Sequence, residues 1–454
     1  MQQAYYLHNA GRDYVVLDNR AAPGGMFTEL PVMNQLISIN KRHTGRTDSD
    51  EFNMRHDWNS LLDDAANDPD TLRMGSFSKA YFPSRDELYE YLTAFGTTKG
   101  LRFQFETEVT VVSRPPRAEG AEASEEPEGF VLEVEGAGPK FACDYFIMAT
   151  GLGKPNSPDF TGKELVERYE DVPRDPAEYA GQRVLFLGRG NAAMEIASSI
   201  IGETAYMHFV GRAKRQLRLA WETHYVGDIR ATHNQALESY QLKSLEGIVE
   251  IPVQGLRFLK DNETGLIYPK KGSGESDNYP LRHGYHRVIN CMGWKVDDGF
   301  FGEGIKPELA LNDKYVKIDG NYESTNVPGL FVAGTLLHLR DFKITAGGFI
   351  HGFRYLARFA HRLREERIHG VPFPREVIDS AKGLMEKITS RVDSSSGLYQ
   401  LFGTLTDAFF FVDDGTAPEG GAAQISGWYV EEVSSDILFH LIPKWLEAEG
   451  IGGG

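Results

Sequence analysis

The chain has little cysteine: Cys143 and Cys291 are the only two in 454 residues. No Cys-x-x-Cys pair exists, so the sequence builds neither a dithiol redox centre nor a thiolate zinc site, and no metal site is expected. Both cysteines sit in apolar, strand-like runs and are expected to be buried bystanders. Positive charge is also scarce. The formal net charge of −17 argues against nucleic acid and against an anionic membrane surface as partners. No uninterrupted apolar run reaches the roughly 20 residues of a membrane-spanning helix. The closest, residues 398–412, is short and contains Asp407. No signal peptide is visible, which carries little weight at an N-terminus that reads as internal.

What is present is glycine in telling places. Val184, Leu185, Phe186 and Leu187 read as a buried strand. A G-x-G-x-x-A turn follows in Gly188, Gly190 and Ala193, then an apolar-periodic run in Met194, Ile196, Ala197, Ile200 and Ile201. This is the strand–turn–helix setting of a dinucleotide fingerprint. Gly188 permits the tight turn, and Gly190 lets backbone approach a pyrophosphate. Ala193 lets helix pack on strand, and the helix N-terminus at Asn191 offers N–H groups to phosphate. The alternative is an ordinary turn with glycine for packing. Residues 207–212 read as the next strand, ending in Arg212 with Lys214 and Arg215 close behind. An NAD-specific site would place an acid there, whereas cations suit a 2′-phosphate and favour NADPH.

The N-terminus reads as a nucleotide fold entered midway. Residues 2–8 resemble the middle of a helix that closes at Gly11, and residues 14–18 a strand ending in Asp18, where an acid holds a ribose hydroxyl. Gly24 and Gly25 follow in a Pro-Gly-Gly turn. The first strand and its glycine loop would then lie before Met1. The simplest expectation is a start at an internal Met; the alternative is a shortened domain with impaired cofactor binding.

Several stretches carry a family resemblance. They include residues 10–14, 36–42 (ending Lys41-Arg42), 52–61 (with His56-Asp57-Trp58-Asn59), 81–83, and 223–228 (Thr-His-Tyr-Val-Gly-Asp). Residues 347–354 and 396–400 continue it. The chain resembles the class B flavin monooxygenase-type flavoproteins, and more closely the FAD-dependent oxidoreductases linked to endoplasmic-reticulum-associated degradation. The resemblance runs from Met1 to about Phe402. It implies an α/β fold of two Rossmann-like dinucleotide-binding domains, with an NADPH domain inserted in a discontinuous FAD domain whose first strand and glycine loop are absent from the given chain. The expected division is 1–170 for the first FAD part, 171–293 for NADP(H), 294–370 for the second FAD part and 371–454 for a C-terminal segment. The crossing between domains falls at Ala149-Thr150-Gly151, after one apolar strand over residues 141–149. The return falls at residues 288–293, after a polar loop at residues 270–278. Residues 114–129 read as a solvated hairpin insertion.

By the same resemblance, Asp18, Gly24, Gly25, Lys41, Arg42 and Gly151 belong to the flavin side. Gly188, Gly190, Asn191, Ala193 and Arg212 hold the nicotinamide nucleotide. Residues 330–335 read as the late flavin-binding strand, with Thr335 where the family often has Asp after Gly334. Gly348 and Phe349 open a helix whose N-terminus can face the flavin ring. The cofactors themselves carry the hard chemistry, so no acid–base pair is obligatory. His224 and Asp57 are the catalytic candidates. Each has a structural alternative, Asp57 with Trp58 as a loop staple and His224 as a satisfied histidine. His338, Arg340, Asp341 and Lys343 are further polar candidates beside the late strand. One departure matters. The monooxygenase signature F-x-G-x-x-x-H begins at Phe160 and Gly162, but Val166 stands where the histidine belongs. A valine neither hydrogen-bonds nor titrates, so an NADPH oxidase or electron-transfer role gains weight. A small-molecule monooxygenase and a non-catalytic scaffold stay open. The implied acceptor is oxygen, a small molecule or a protein disulfide, and the implied setting is the lumen of the endoplasmic reticulum beside its degradation machinery.

Overall fold

The computed structural model describes residues 1–63, 71–116, 129–136, 140–211, 248–249, 251–271, 282–411, 427–438, 441 and 445. One sheet has five parallel strands in the order Ile248–Val249, Tyr206–Val210, Arg183–Leu187, Arg287–Asn290, Glu167–Arg168. Parallel strands covered on both faces must be apolar throughout. Val184, Leu185, Phe186 and Leu187 accordingly have no exposed surface. The helix Asn191–Ile200 lies on one face through Ala193, Met194, Ile196, Ala197 and Ile200, in one core with Phe186 and Phe209. Those two rings stack with centroids 5.0 Å apart.

The flanking half is built around two parallel strand pairs. Val16–Leu17 pairs with Phe103–Gln104, and Phe146–Met148 pairs with Leu330–Val332. The helix Gln2–Asn9 precedes the first pair, and Gly11 at φ +65° turns the chain out of it. The helix Arg85–Thr98 opens on a capping box. Ser84 Oγ accepts from the Glu87 amide and the Glu87 carboxylate accepts from the Ser84 amide. Ser84→Ala will cost about 1 kcal/mol, read as a drop in the urea midpoint at unchanged slope. An unchanged midpoint would mean that Glu87 alone caps this helix.

Two expectations need correction. Residues 141–149 do not form one strand. Phe141–Cys143 closes an antiparallel meander with Phe130–Val134 and Val109–Ser113. The chain then changes sheet at Asp144 and Tyr145, and Phe146–Met148 joins Leu330–Val332. An apolar run does not reveal such a switch, because Phe141, Cys143, Phe146 and Met148 all pack on one core while the two pieces pair with different strands. Lys270 also belongs to a strand, Ile267–Lys271, paired with Leu256–Lys260, rather than to a loop. The antiparallel pairing of 109–113 with 130–134 agrees with a hairpin around residues 114–129, of which 117–128 lie outside the described residues.

The C-terminal part adds a three-stranded antiparallel sheet, Glu376–Ile378, Gly427–Ser434 and Leu405–Phe411, and the helix Ala381–Ser394. Arg391 is buried there between Asp407, at 2.8 Å, and Glu432, at 3.3 Å, and also reaches Glu51 at 2.9 Å. Burial of such charges is tolerated only when they are paired.

Candidate active site

The strand ends and helix starts converge on one cavity of about 2880 Å³. Small-molecule pockets run to roughly 300–1,000 Å³, so this cavity exceeds what one small ligand needs. Its wall includes Gly188, Gly190 and Asn191 from the five-stranded half. From the other half come Asp18, Gly24, Gly25, Gly151, Gly334, Thr335, Gly348 and Phe349. The cavity also runs along Val15, Val16 and Leu17 and along Phe146, Ile147 and Met148.

The two glycines of the fingerprint do different work. Gly188 has φ +118°, and a Cβ there would meet the Cys291 carbonyl oxygen at 2.2 Å. Only glycine lets this turn pack against the returning strand. Gly190 has φ −88°, and a Cβ would meet nothing within 4 Å. Its backbone instead borders open space at the start of the helix Asn191–Ile200, which no side chain caps. Uncapped first-turn N–H groups with the positive end of the dipole form an anion site. A pyrophosphate fits this cradle. Ala193 is fully buried behind it, at the contact of helix and sheet.

The opposite wall has a second such helix. Ile350–His369 starts at Phe349, again without a side-chain cap. The loop before it is braced from below. Asp341, fully buried, accepts from the Gly347 amide at 2.7 Å and from Thr345 Oγ1 at 2.5 Å, and its Oδ1 lies 2.8 Å from His338 Nδ1. Thr335 Oγ1 donates to the Gly348 carbonyl at 3.1 Å. A Cβ on Gly348 would meet the His338 ring at 2.7 Å, so the loop seats directly on that ring. The helix start therefore faces the cavity as a rigid donor array, a fit for the electron-rich edge of a reduced flavin. Arg340 is drawn away to Asp436, at 2.6 Å, and Lys343 lies at the exposed surface with φ +61°.

Other candidates lie elsewhere. Lys41 and Arg42 are exposed and do not line the cavity. Asp57 does not line it either. Its carboxylate accepts from the Asn59 and Ser60 amides at 3.0 and 2.9 Å and from the Ser60 hydroxyl, which is the geometry of a loop staple. Trp58 stacks on His351 with centroids 4.5 Å apart. Arg212 and His224, with Lys214 and Arg215, lie outside the described residues. Val166 packs with Phe160 on the core that holds Phe258. A Cβ on Gly162 would meet the Phe258 carbonyl oxygen at 2.2 Å, so this segment serves packing. Burial pushes the Cys143 thiol up to about 11 and the Cys291 thiol well up, so both are protonated near neutral pH. Cys291 is buried as expected, but Cys143 is only half-buried, and both line the cavity. Among the described residues no cluster of His, Cys, Asp or Glu is placed to hold a metal, and no helix is long and apolar enough to cross a membrane.

Sequence reasoning missed Glu195 and Tyr169, which both line the cavity and are hydrogen-bonded to each other. The available signal was a lone acid between Met194 and Ile196 on a buried helix face.

The chain is similar to several known proteins. The chain is 40% identical over 461 residues to the mouse FAD-dependent oxidoreductase domain-containing protein 2, covering 97% of this chain and 66% of that protein. The Danio rerio protein of the same name is 36% identical over 447 residues, covering 90% and 63%. The chain thus spans about two thirds of the length of these relatives. Among solved structures, a flavin-containing monooxygenase from Stenotrophomonas maltophilia superposes with a TM-score of 0.56 at 19% identity, covering 82% of this chain and 95% of that one. A bacillithiol disulfide reductase from Staphylococcus aureus gives a TM-score of 0.52 at 13% identity, covering 81% and 95%. These distant likenesses show the α/β flavoprotein fold. Residues 1–334 match the family described as pyridine nucleotide-disulphide oxidoreductase. On that match, which covers most of its length, the chain belongs to the pyridine nucleotide-disulphide oxidoreductase family.

Proposed function

We propose that the protein is an FAD- and NADPH-dependent oxidoreductase. The observation that carries this reading is the convergence of two uncapped helix starts, at Asn191 and Ile350, on one cavity. When bound, flavin and nicotinamide supply the hydride chemistry themselves. The protein has three tasks. Gly190 and the helix behind it hold the nicotinamide nucleotide's pyrophosphate. Asp18, Gly151, Gly334 and Thr335 line the flavin's adenosine and ribityl arms. The helix start at Phe349 and Ile350 stabilises negative charge on the flavin ring. Orientation of this kind is where the rate gain of such enzymes arises.

The final acceptor we propose is oxygen or a disulfide outside the chain. Val166, in place of a polar side chain, weighs against monooxygenation, and two free cysteines that form no pair supply no internal dithiol relay. The proposed setting in the endoplasmic reticulum, beside its degradation machinery, rests on the family resemblance alone.

Coenzyme choice tests the reading. Arg212 is proposed to pair with the 2′-phosphate of NADPH, a bidentate charge-assisted contact. In the flavin-loaded full-length protein, Arg212→Ala will weaken NADPH by about 1.5–3 kcal/mol and leave NADH unchanged, measured by titration of each coenzyme. Equal loss for both would assign Arg212 to the fold.

A further inference from the structure

Glu195 is the one charged residue of the helix Asn191–Ile200, and it is 6% exposed. Both carboxylate oxygens are engaged across the chain. Oε1 accepts from the Met33 amide at 2.6 Å, and Oε2 accepts from the Tyr169 hydroxyl. The same hydroxyl accepts from the Val32 amide at 3.2 Å. Val32 is 1% exposed and packs in the core of Phe186, Met194 and Ile196. From the other side, Arg85 donates to the Glu29 carbonyl at 2.7 Å. Residues 29–33 of the flavin-side half are therefore clamped between two helices, one of which carries the nucleotide cradle.

We propose that Glu195 is a positioning residue: with Tyr169 it seats the nucleotide-cradling helix on residues 32–33 and so sets the approach of the nicotinamide nucleotide to the flavin. This rests on the cofactor reading above. A carboxylate is otherwise a costly choice for a buried helix face. Ala or Leu would serve packing alone.

The seat has a charge-dependent strength. Burial pushes the Glu195 carboxyl from its ordinary 4.5 up to about 7, against the opposing pull of the two hydrogen bonds. Tyr169, Cys291 and Arg85 face it. Burial raises the first two, so they stay neutral near pH 7. Glu195 is thus the group that titrates there. When the seat opens, the carboxyl meets water and its pKa falls. Closing therefore takes up a proton from solvent between about 4.5 and 7. The seat is strongest on the acid side and weakens as pH rises through that window.

The test uses the full-length, flavin-loaded protein with Glu195→Gln and Glu195→Ala. Hydrogen exchange at the Met33 amide reads the seat without any coenzyme. Its protection should fall about tenfold or more in the alanine variant, while glutamine, a neutral isostere that still accepts the bond, retains it. Flavin reduction by NADPH should slow as pH rises toward and through about 7 in the unmodified protein. It should be flat with pH in Glu195→Gln and slow throughout in Glu195→Ala. Unchanged Met33 protection in the alanine variant, or a surviving pH step in the glutamine variant, would overturn the proposal. If NADPH reduces no flavin even in the unmodified protein, the cofactor reading fails, and Met33 exchange still decides the seat. Should Glu195→Ala not fold, Tyr169→Phe serves instead: Val32 protection should fall and Met33 protection stay, and equal protection at Val32 would count against it.

Discussion

Gly188→Ala will cost this protein about 3–5 kcal/mol of folding stability, while Gly190→Ala, two residues on, will cost almost none and weaken nucleotide binding instead. The contrast follows from where each Cβ would go. At position 188 it meets the Cys291 carbonyl oxygen at 2.2 Å and its carbon at 2.7 Å, on a backbone with φ +118°. The obstacle is backbone just past the strand Arg287–Asn290, tied to its neighbour by the Cys291 amide, which donates to the Leu187 carbonyl at 2.8 Å. At position 190 the φ of −88° suits any residue, and no atom lies within 4 Å. The methyl group would stand in the space proposed for the pyrophosphate. The loss of charge-assisted backbone contacts should weaken NADPH by about 10–100-fold. Denaturant melts and coenzyme titration of the two variants check this. Equal effects on stability, or intact NADPH binding in Gly190→Ala, would remove the anion cradle from the account.

Arg354→Met is expected to be comparably severe for the fold. The guanidinium is fully buried on the helix Ile350–His369. It donates to three carbonyls of the 50s loop: Asp57 at 3.0 Å, Ser60 at 2.6 Å and Met54 at 2.7 Å. Methionine fills much of the volume but leaves three buried acceptors without donors. Each unsatisfied group costs about 1–3 kcal/mol, and partial relaxation brings the total to about 3–5 kcal/mol. Arg354→Lys should recover only part, because lysine's three donors sit on a single nitrogen, whereas the three bonds are divided between the two terminal guanidinium nitrogens. Equilibrium unfolding in urea measures both. A loss below about 1 kcal/mol would show that water takes over the arginine's bonds.

The fingerprint was legible because it is local. Strand, turn and helix occupy residues 183–200, and each requirement falls on a residue type that meets it. Late-strand glycine and helix start, residues 330–350, are legible for the same reason. What eluded the sequence is long-range. Glu195 finds Met33 across 162 residues, and Arg354 finds Met54 across 300. No periodicity announces such pairs. The sheet change at Asp144 and Tyr145 was hidden because both pieces of the run are apolar. Asp57 had a fair claim as a catalytic acid by type. Its neighbours Asn59 and Ser60 turn the carboxylate inward, a local hydrogen-bonding habit of Asp in turns.

The central claim is that one cavity aligns a nicotinamide nucleotide with a flavin. The most direct test mixes the flavin-loaded full-length protein with NADPH in the absence of oxygen and follows the flavin absorbance by stopped flow. The account predicts single-step bleaching of the oxidised flavin band, saturable in NADPH and slowed in Gly190→Ala. A protein that holds flavin but leaves it oxidised at saturating NADPH would contradict it.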